Sequence, residues 1–210
     1  MLQFITNEHC NVLPSSQILQ AINGGCRWIQ IRLKEASDDE IRSLFFEIRD
    51  KAKETLTTVI INDRVELAKS LGADGVAGVH LGRDDMDPLK AREVLGPEAI
   101  IGVTAHSFNE ILPFKGTDVD YIGVGPFAHT DTKVVQAPVL GFEGMAEIML
   151  LEKENKIGIP CVAVGGITVE DVKPLLELGV NGIAVSGAIA NAENIADAVK
   201  LFIAQLPIDE

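Results

Sequence analysis

Two basic side chains and two carboxylates stand where they could act together on an anion. The segment Gln30-Ile31-Arg32-Leu33-Lys34 alternates polar and apolar residues. In an extended strand that period of two sends Gln30, Arg32 and Lys34 to one side and Ile31 and Leu33 to the other. Facing an interior, three polar groups are costly without partners. At a strand's end they form an anion clamp, Arg giving a planar fork and Lys a point charge. An ordinary salt bridge at the rim is the alternative. Asn62-Asp63-Arg64 and Gly82-Arg83-Asp84-Asp85 each follow an apolar run. Asp63 and Asp85 beside such a clamp suit a hard cation bridging to a diphosphate. Mg2+ takes one or two carboxylates and completes its shell with phosphate oxygens and water. Asp84 is left to solvent. The plainer alternative has Asp63 capping the next helix and Asp84-Asp85 in a solvated turn.

Further polar groups sit at later strand ends. Thr104 can donate or accept toward a substrate, and His106 titrates near neutral pH, although it reads equally well as the start of a helix. His80 lies within an apolar run and reads as a satisfied core histidine. The stretch Pro126–Gly141 has neither helical nor strand periodicity. Loops of that length in a compact fold are usually functional or disordered. The hydroxyls of Thr130 and Thr132, with Lys133, can hold phosphate oxygens. Gly165-Gly166 and Val185-Ser186-Gly187 end two further runs, and glycines there let a phosphate approach backbone N–H groups.

These residues need a scaffold that gathers strand ends. Eight apolar runs rich in Val and Ile supply it: 2–6, 28–32, 58–62, 75–81, 99–104, 120–125, 160–165 and 182–186. Continuous rather than alternating, they suit strands buried on both faces of a parallel sheet. Helical patterns fill most gaps. Asp38–Glu54 carries Ile41, Leu44, Phe45, Ile48 and Ala52 on one stripe, with Ser37 and Glu40 as a capping box. Val65–Leu71, Pro88–Leu95, Phe142–Asn155, Thr168–Leu178 and Asn194–Leu206 follow; the gaps after the first and fifth strands show no clear pattern. Leu71-Gly72-Ala73-Asp74-Gly75-Val76 is echoed by Leu178-Gly179-Val180-Asn181-Gly182-Ile183, half a chain later. Eight βα units in a chain of 210 residues point to a single (β/α)8 TIM barrel over 1–210, with a doubly wound open sheet as runner-up. In barrels the chemistry collects at the C-terminal strand ends, where all these residues fall.

Composition narrows the function. At 47% hydrophobic and 23% charged residues the chain is of ordinary globular type. Its net charge of −13 argues against nucleic acid as a partner. Cys10, Cys26 and Cys161 have no C-x-x-C spacing, so neither a zinc site nor a disulfide framework is indicated. No signal peptide or membrane-spanning run is present in the pattern, and a cytoplasmic protein is expected.

Taken in order, Gln-x-Arg-x-Lys at 30–34, Ile-Asn-Asp-Arg at 61–64, Gly-Val-His-Leu-Gly-x-x-Asp at 78–85, Gly-Val-Gly-Pro at 123–126, Thr-x-Thr-Lys at 130–133, Val-Gly-Gly-Ile at 164–167 and Val-Ser-x-Ala-Ile at 185–189 resemble the thiamine phosphate synthase family. The resemblance implies transfer of the hydroxymethylpyrimidine group from its diphosphate to thiazole phosphate, giving thiamine phosphate and pyrophosphate. It implies Gln30, Arg32, Lys34 and Asn62 on the pyrimidine diphosphate, Asp63 and Asp85 on Mg2+, Thr104 on the pyrimidine side and Lys133 on the pyrophosphate. Thr130 and Thr132 would hold the thiazole phosphate, with backbone at Gly166, Val185 and Ser186. Arg32, Lys34 and Lys133 would stabilise the departing diphosphate. The partners implied are small molecules; a homo-oligomer is left open. Arg83 stands where many members carry Gln, His129 at a common Pro or aromatic position, and Gly75–His80 carries about three extra residues. A thiazole tautomerase on the same barrel and a non-catalytic phosphate-binding barrel are the alternatives. The tautomerase would not need Asn62, Asp63, Asp85 and Lys133 together.

Overall fold

The computed structural model describes residues 1–130 and 137–207. Eight parallel strands close in sequence order: β1 Leu2–Ile5, β2 Trp28–Ile31, β3 Thr58–Asn62, β4 Val76–Leu81, β5 Ile100–Ala105, β6 Tyr121–Val124, β7 Cys161–Val164 and β8 Gly182–Val185. The register β1–β8, Leu2 opposite Ile183 and Phe4 opposite Val185, completes the barrel and excludes the open sheet. Helices α1 Pro14–Asn23, α2 Asp38–Glu54, α3 Val65–Leu71, α4 Pro88–Leu95, α5 Phe108–Ile111, α6 Gly141–Asn155, α7 Val172–Glu177, α8 Gly187–Ala190 and α9 Ile195–Ile203 lie outside it. None of the helices among the described residues is long and apolar enough to cross a membrane.

Local chemistry fixes these boundaries. Ser37 accepts from the Glu40 N–H and Glu40 reaches back to the Ser37 N–H, so α2 starts at Asp38 as the capping box requires. Asp87 accepts from Leu89 and Lys90 ahead of α4, and Asn194 accepts from Asp197 at the start of α9. The gap after β1 does hold a helix. Its stripe of Ile18, Ala21 and Ile22 is broken by buried Gln17, whose amide ties Asn7 and Val12 of the preceding loop. That polar side chain hides α1 from a hydrophobic pattern. The segment 168–178 divides into a 3-10 turn, Val169–Asp171, followed by α7.

Two apolar layers result. A large one lies between strands and helices. A small one fills the barrel interior with Ile5, Trp28, Ile60, Tyr121, Val162 and Ala184. Trp28 and Tyr121 meet there edge to face at 4.8 Å. Of the extra residues expected near Gly75, a register shift between β3 and β4 takes up one. Val59 pairs with Val76, but Ile60 pairs with Gly78, leaving Ala77 as the surplus. Beyond that shift the ladder runs on to Asn62 opposite His80.

Candidate active site

A cavity of about 230 Å³ opens at the C-terminal end of the barrel. At roughly 30 Å³ per water it holds several waters, or the ring of a small ligand. Gln30, Arg32, Lys34, Asn62, Asp63, Asp85, Thr104, Thr130, Gly166, Val185 and Ser186 all line it. Thr132 and Lys133 lie outside the described residues.

The alternation along β2 grades these side chains by depth. Gln30 is 2% exposed and donates through Nε2 to Gln3, below the cations. It belongs to the cavity floor, while the clamp proper is Arg32 with Lys34. Thr6 pins the Arg32 backbone in both directions, accepting from its N–H at 2.8 Å and donating to its carbonyl at 3.1 Å. The Arg32 guanidinium makes no hydrogen bond to the described residues. Burial pulls it below the usual guanidinium range, against the nearby carboxylates of Glu8 and Asp63. A partly desolvated fork without a bonded partner is built for an incoming anion.

Asp63 directly follows β3 with φ of 64°, a left-handed conformation that Asp tolerates better than most residues. The N-cap residue of α3 is Arg64, and no side chain caps that helix, so Asp63 is not a cap. Its carboxylate lies 3.4 Å from Lys34 Nζ. Burial, reinforced by the neighbouring Asp85 carboxyl and opposed by Lys34, pushes Asp63 up to about 6. Asp85 accepts from the Gly82 N–H at 2.6 Å, which closes its own turn. Among the described residues no three His, Cys, Asp or Glu side chains converge as a metal cage. A pair of carboxylates beside cations fits Mg2+ shared with a diphosphate better than a metal held by protein alone.

Arg83 points away from this pair and binds Glu110 at 3.0 Å. Glu110 also accepts from the His106 N–H, so it cross-ties the loops after β4 and β5. His106 Nδ1 is bonded to the Gly125 carbonyl oxygen, tying these loops to the end of β6. Arg64 grips the carbonyls of Leu33, Lys34 and Ala36 and the carboxylate of Asp38. It thereby holds the loop that carries Lys34, without lining the cavity. Arg64→Ala should lower kcat/KM about tenfold through this misplacement. Steady-state kinetics with a melting curve checks it; an unchanged kcat/KM in a folded variant refutes it.

The side of the cavity at the ends of β6, β7 and β8 is shaped by backbone. Phe127 donates to Val164 O and Ala128 to Gly165 O, each at 2.9 Å. Gly165 and Gly166 have φ of 98° and 67°. A Cβ on Gly166 would lie 2.6 Å from His129 O. These glycines are therefore required by a close backbone crossing in the first place. The far end of the same loop returns to its start: Leu140 donates to Pro126 O and Gly141 to Phe127 O, both at 2.9 Å. Ser186 presents a buried Oγ with no bonded partner among the described residues.

Sequence patterns missed Gln3, Tyr121 and Glu8. Gln3 and Tyr121 are lone polar groups in short apolar strands, where alternation gives no signal. Glu8 sits in a loop.

Known proteins match this chain. The family model described as thiamine monophosphate synthase matches residues 2–189. The thiamine-phosphate synthase of Bacteroides thetaiotaomicron is 45% identical over 93% of this chain and 92% of its own. That of Flavobacterium johnsoniae is 42% identical over 98% and 93%. The thiamine phosphate pyrophosphorylase of Pyrococcus furiosus superposes with a TM-score of 0.83 at 30% identity, covering 97% of this chain and 94% of that one. With agreement running from the first strand past the eighth, this chain belongs to the thiamine monophosphate synthase family.

Proposed function

We propose that this protein transfers the hydroxymethylpyrimidine group from its diphosphate to the nitrogen of thiazole phosphate, releasing pyrophosphate, and that it does so with Mg2+. The observation that carries the reading is the Arg32 guanidinium, unbonded among the described residues, beside the Asp63 and Asp85 carboxylates in one cavity. Asp63 and Asp85 would hold Mg2+, which when bound neutralises charge on the diphosphate oxygens. Arg32 and Lys34 then act on the same oxygens. Their attraction grows as the C–O bond lengthens and charge collects on the leaving group, so it lowers the barrier and does not merely tighten binding. Lys133 is assigned to that group as well. Gln30, Asn62 and Thr104 hold the pyrimidine end. Thr130, Thr132 and the backbone at Gly166, Val185 and Ser186 hold the thiazole phosphate, with the free Ser186 hydroxyl as a ready donor. No protein nucleophile is required, since the thiazole nitrogen captures the carbon that the diphosphate leaves; positioning supplies the rest.

A tautomerase needs no diphosphate machinery, and the carboxylate pair weighs against it. Purified protein mixed with both substrates should release pyrophosphate with Mg2+ and stop when EDTA is added. Release that ignores EDTA, or no release, rejects the proposal.

A further inference from the structure

Five polar side chains from five strands are hydrogen bonded in a line across the barrel interior. Gln30 Nε2 donates to Gln3 Oε1 at 3.1 Å. Gln3 Nε2 donates to the Tyr121 hydroxyl at 3.2 Å. That oxygen lies 2.8 Å from His80 Nδ1, and His80 Nε2 lies 2.9 Å from Thr104 Oγ1. All five line the cavity, with Gln30 and Thr104 at the two ends of the line.

The strands are shaped to admit this line. A Cβ on Gly102 would lie 2.1 Å from the Tyr121 ring, and one on Gly123 would lie 3.1 Å from His80 Cε1. Glycine at both positions opens room for the two rings. Such space in a barrel interior is otherwise filled by branched apolar residues.

The line has a direction. Tyr121 Oη accepts from Gln3, so its one proton is available to His80 Nδ1. Burial pushes the phenol well above its ordinary range, so it keeps that proton. That geometry calls for Nδ1 as the acceptor from Tyr121 and Nε2–H as the donor to Thr104. Reversing His80 alone would aim two N–H groups at the phenol oxygen and orphan its buried O–H, a costly arrangement. At one end, Gln30 has spent one N–H and keeps its carbonyl oxygen and its second N–H. At the other, Thr104 has accepted and keeps its O–H.

Resting on the function proposed above, we infer that Gln3, Tyr121 and His80 are positioning residues that act as one polarised chain. They fix the cavity floor as an acceptor at Gln30 and a donor at Thr104, the pattern that an aminopyrimidine, with its amino N–H and ring nitrogen, satisfies.

The test has two arms. Histidine-selective 15N NMR of the ligand-free protein, assigned with His80→Gln, should show His80 as the Nε2–H form at neutral pH. In Tyr121→Phe that form should no longer be held alone. In kinetics, Tyr121→Phe should raise KM for the pyrimidine diphosphate about tenfold, equivalent to about 1.4 kcal/mol, leaving KM for thiazole phosphate unchanged. Gln3→Met cuts the line one link earlier without touching aromatic packing, and should give the same split if Tyr121→Phe does not fold. An imidazolium or the Nδ1–H form overturns the inference, as does a KM rise shared by both substrates or no rise at all. The NMR arm stands even if the wild-type protein makes no thiamine phosphate, which would sink only the proposed reaction.

Discussion

Replacing Asp63 by asparagine should cut turnover by roughly three orders of magnitude and yet make the ligand-free protein harder to melt at pH 8. The two effects share a cause. Burial and the adjacent Asp85 carboxyl raise the Asp63 carboxyl to about 6, from an ordinary 3.8. The folded protein therefore holds this proton more tightly than the unfolded chain does. Ionisation opposes folding: the penalty is absent below 3.8, grows as pH rises toward about 6, and is complete above it. Lys34, at 3.4 Å, relieves part of it. The side chain is 24% exposed, so solvent screening limits the cost to on the order of 2 kcal/mol. Melting curves of both proteins from pH 4 to 8 should thus separate as pH rises from 3.8 toward about 6 and stay apart above it, the variant being the more stable. Adding Mg2+ with pyrophosphate should reverse the order, since binding stabilises only the protein that binds. A variant of near wild-type rate, or one less stable at every pH without ligand, would show that this carboxylate serves the fold instead.

The second large effect belongs to Arg32. Arg32→Ala should lower kcat/KM by about a thousandfold, and Arg32→Lys should recover only part of it, because an ammonium lacks the planar fork that engages two phosphate oxygens. Neither change should lower the melting temperature. The guanidinium bonds to no described residue, and its backbone is held by Thr6 whatever the side chain. Steady-state kinetics with each substrate varied, alongside thermal melting, decides. Full activity in Arg32→Lys would mean that a single positive charge suffices.

Both predictions concern residues visible in the chain before any coordinates. The scaffold was legible because parallel strands buried on two faces leave dense Val and Ile runs. Caps such as Ser37 with Glu40 then mark a helix start to the residue. Legibility failed where a polar side chain does structural work inside an apolar face. Gln17 conceals α1 in this way. Within the site, Arg32, Lys34, Asp63 and Asp85 announced themselves as charges at strand ends. Gln3 and Tyr121 did not, because one amide or phenol in a four-residue strand looks the same whether it faces solvent or a barrel interior. Only the neighbouring strands show what it meets, and the glycines at 102 and 123 are the trace that pairing leaves in the sequence. The fork between cap and ligand at Asp63 likewise needed the backbone: a left-handed residue ahead of α3 turns its carboxylate toward Lys34 and Asp85.

The knot at the foot of the β6 loop has an evolutionary corollary. Leu140 and Gly141 are fastened to Pro126 and Phe127, and Phe127 and Ala128 are fastened to the end of β7. Whatever length of chain runs between those fastenings, the barrel meets the same four backbone bonds. Doubling such a span costs only about 0.6 kcal/mol in closure entropy. A change in the length of this stretch should therefore leave the architecture beneath as it is.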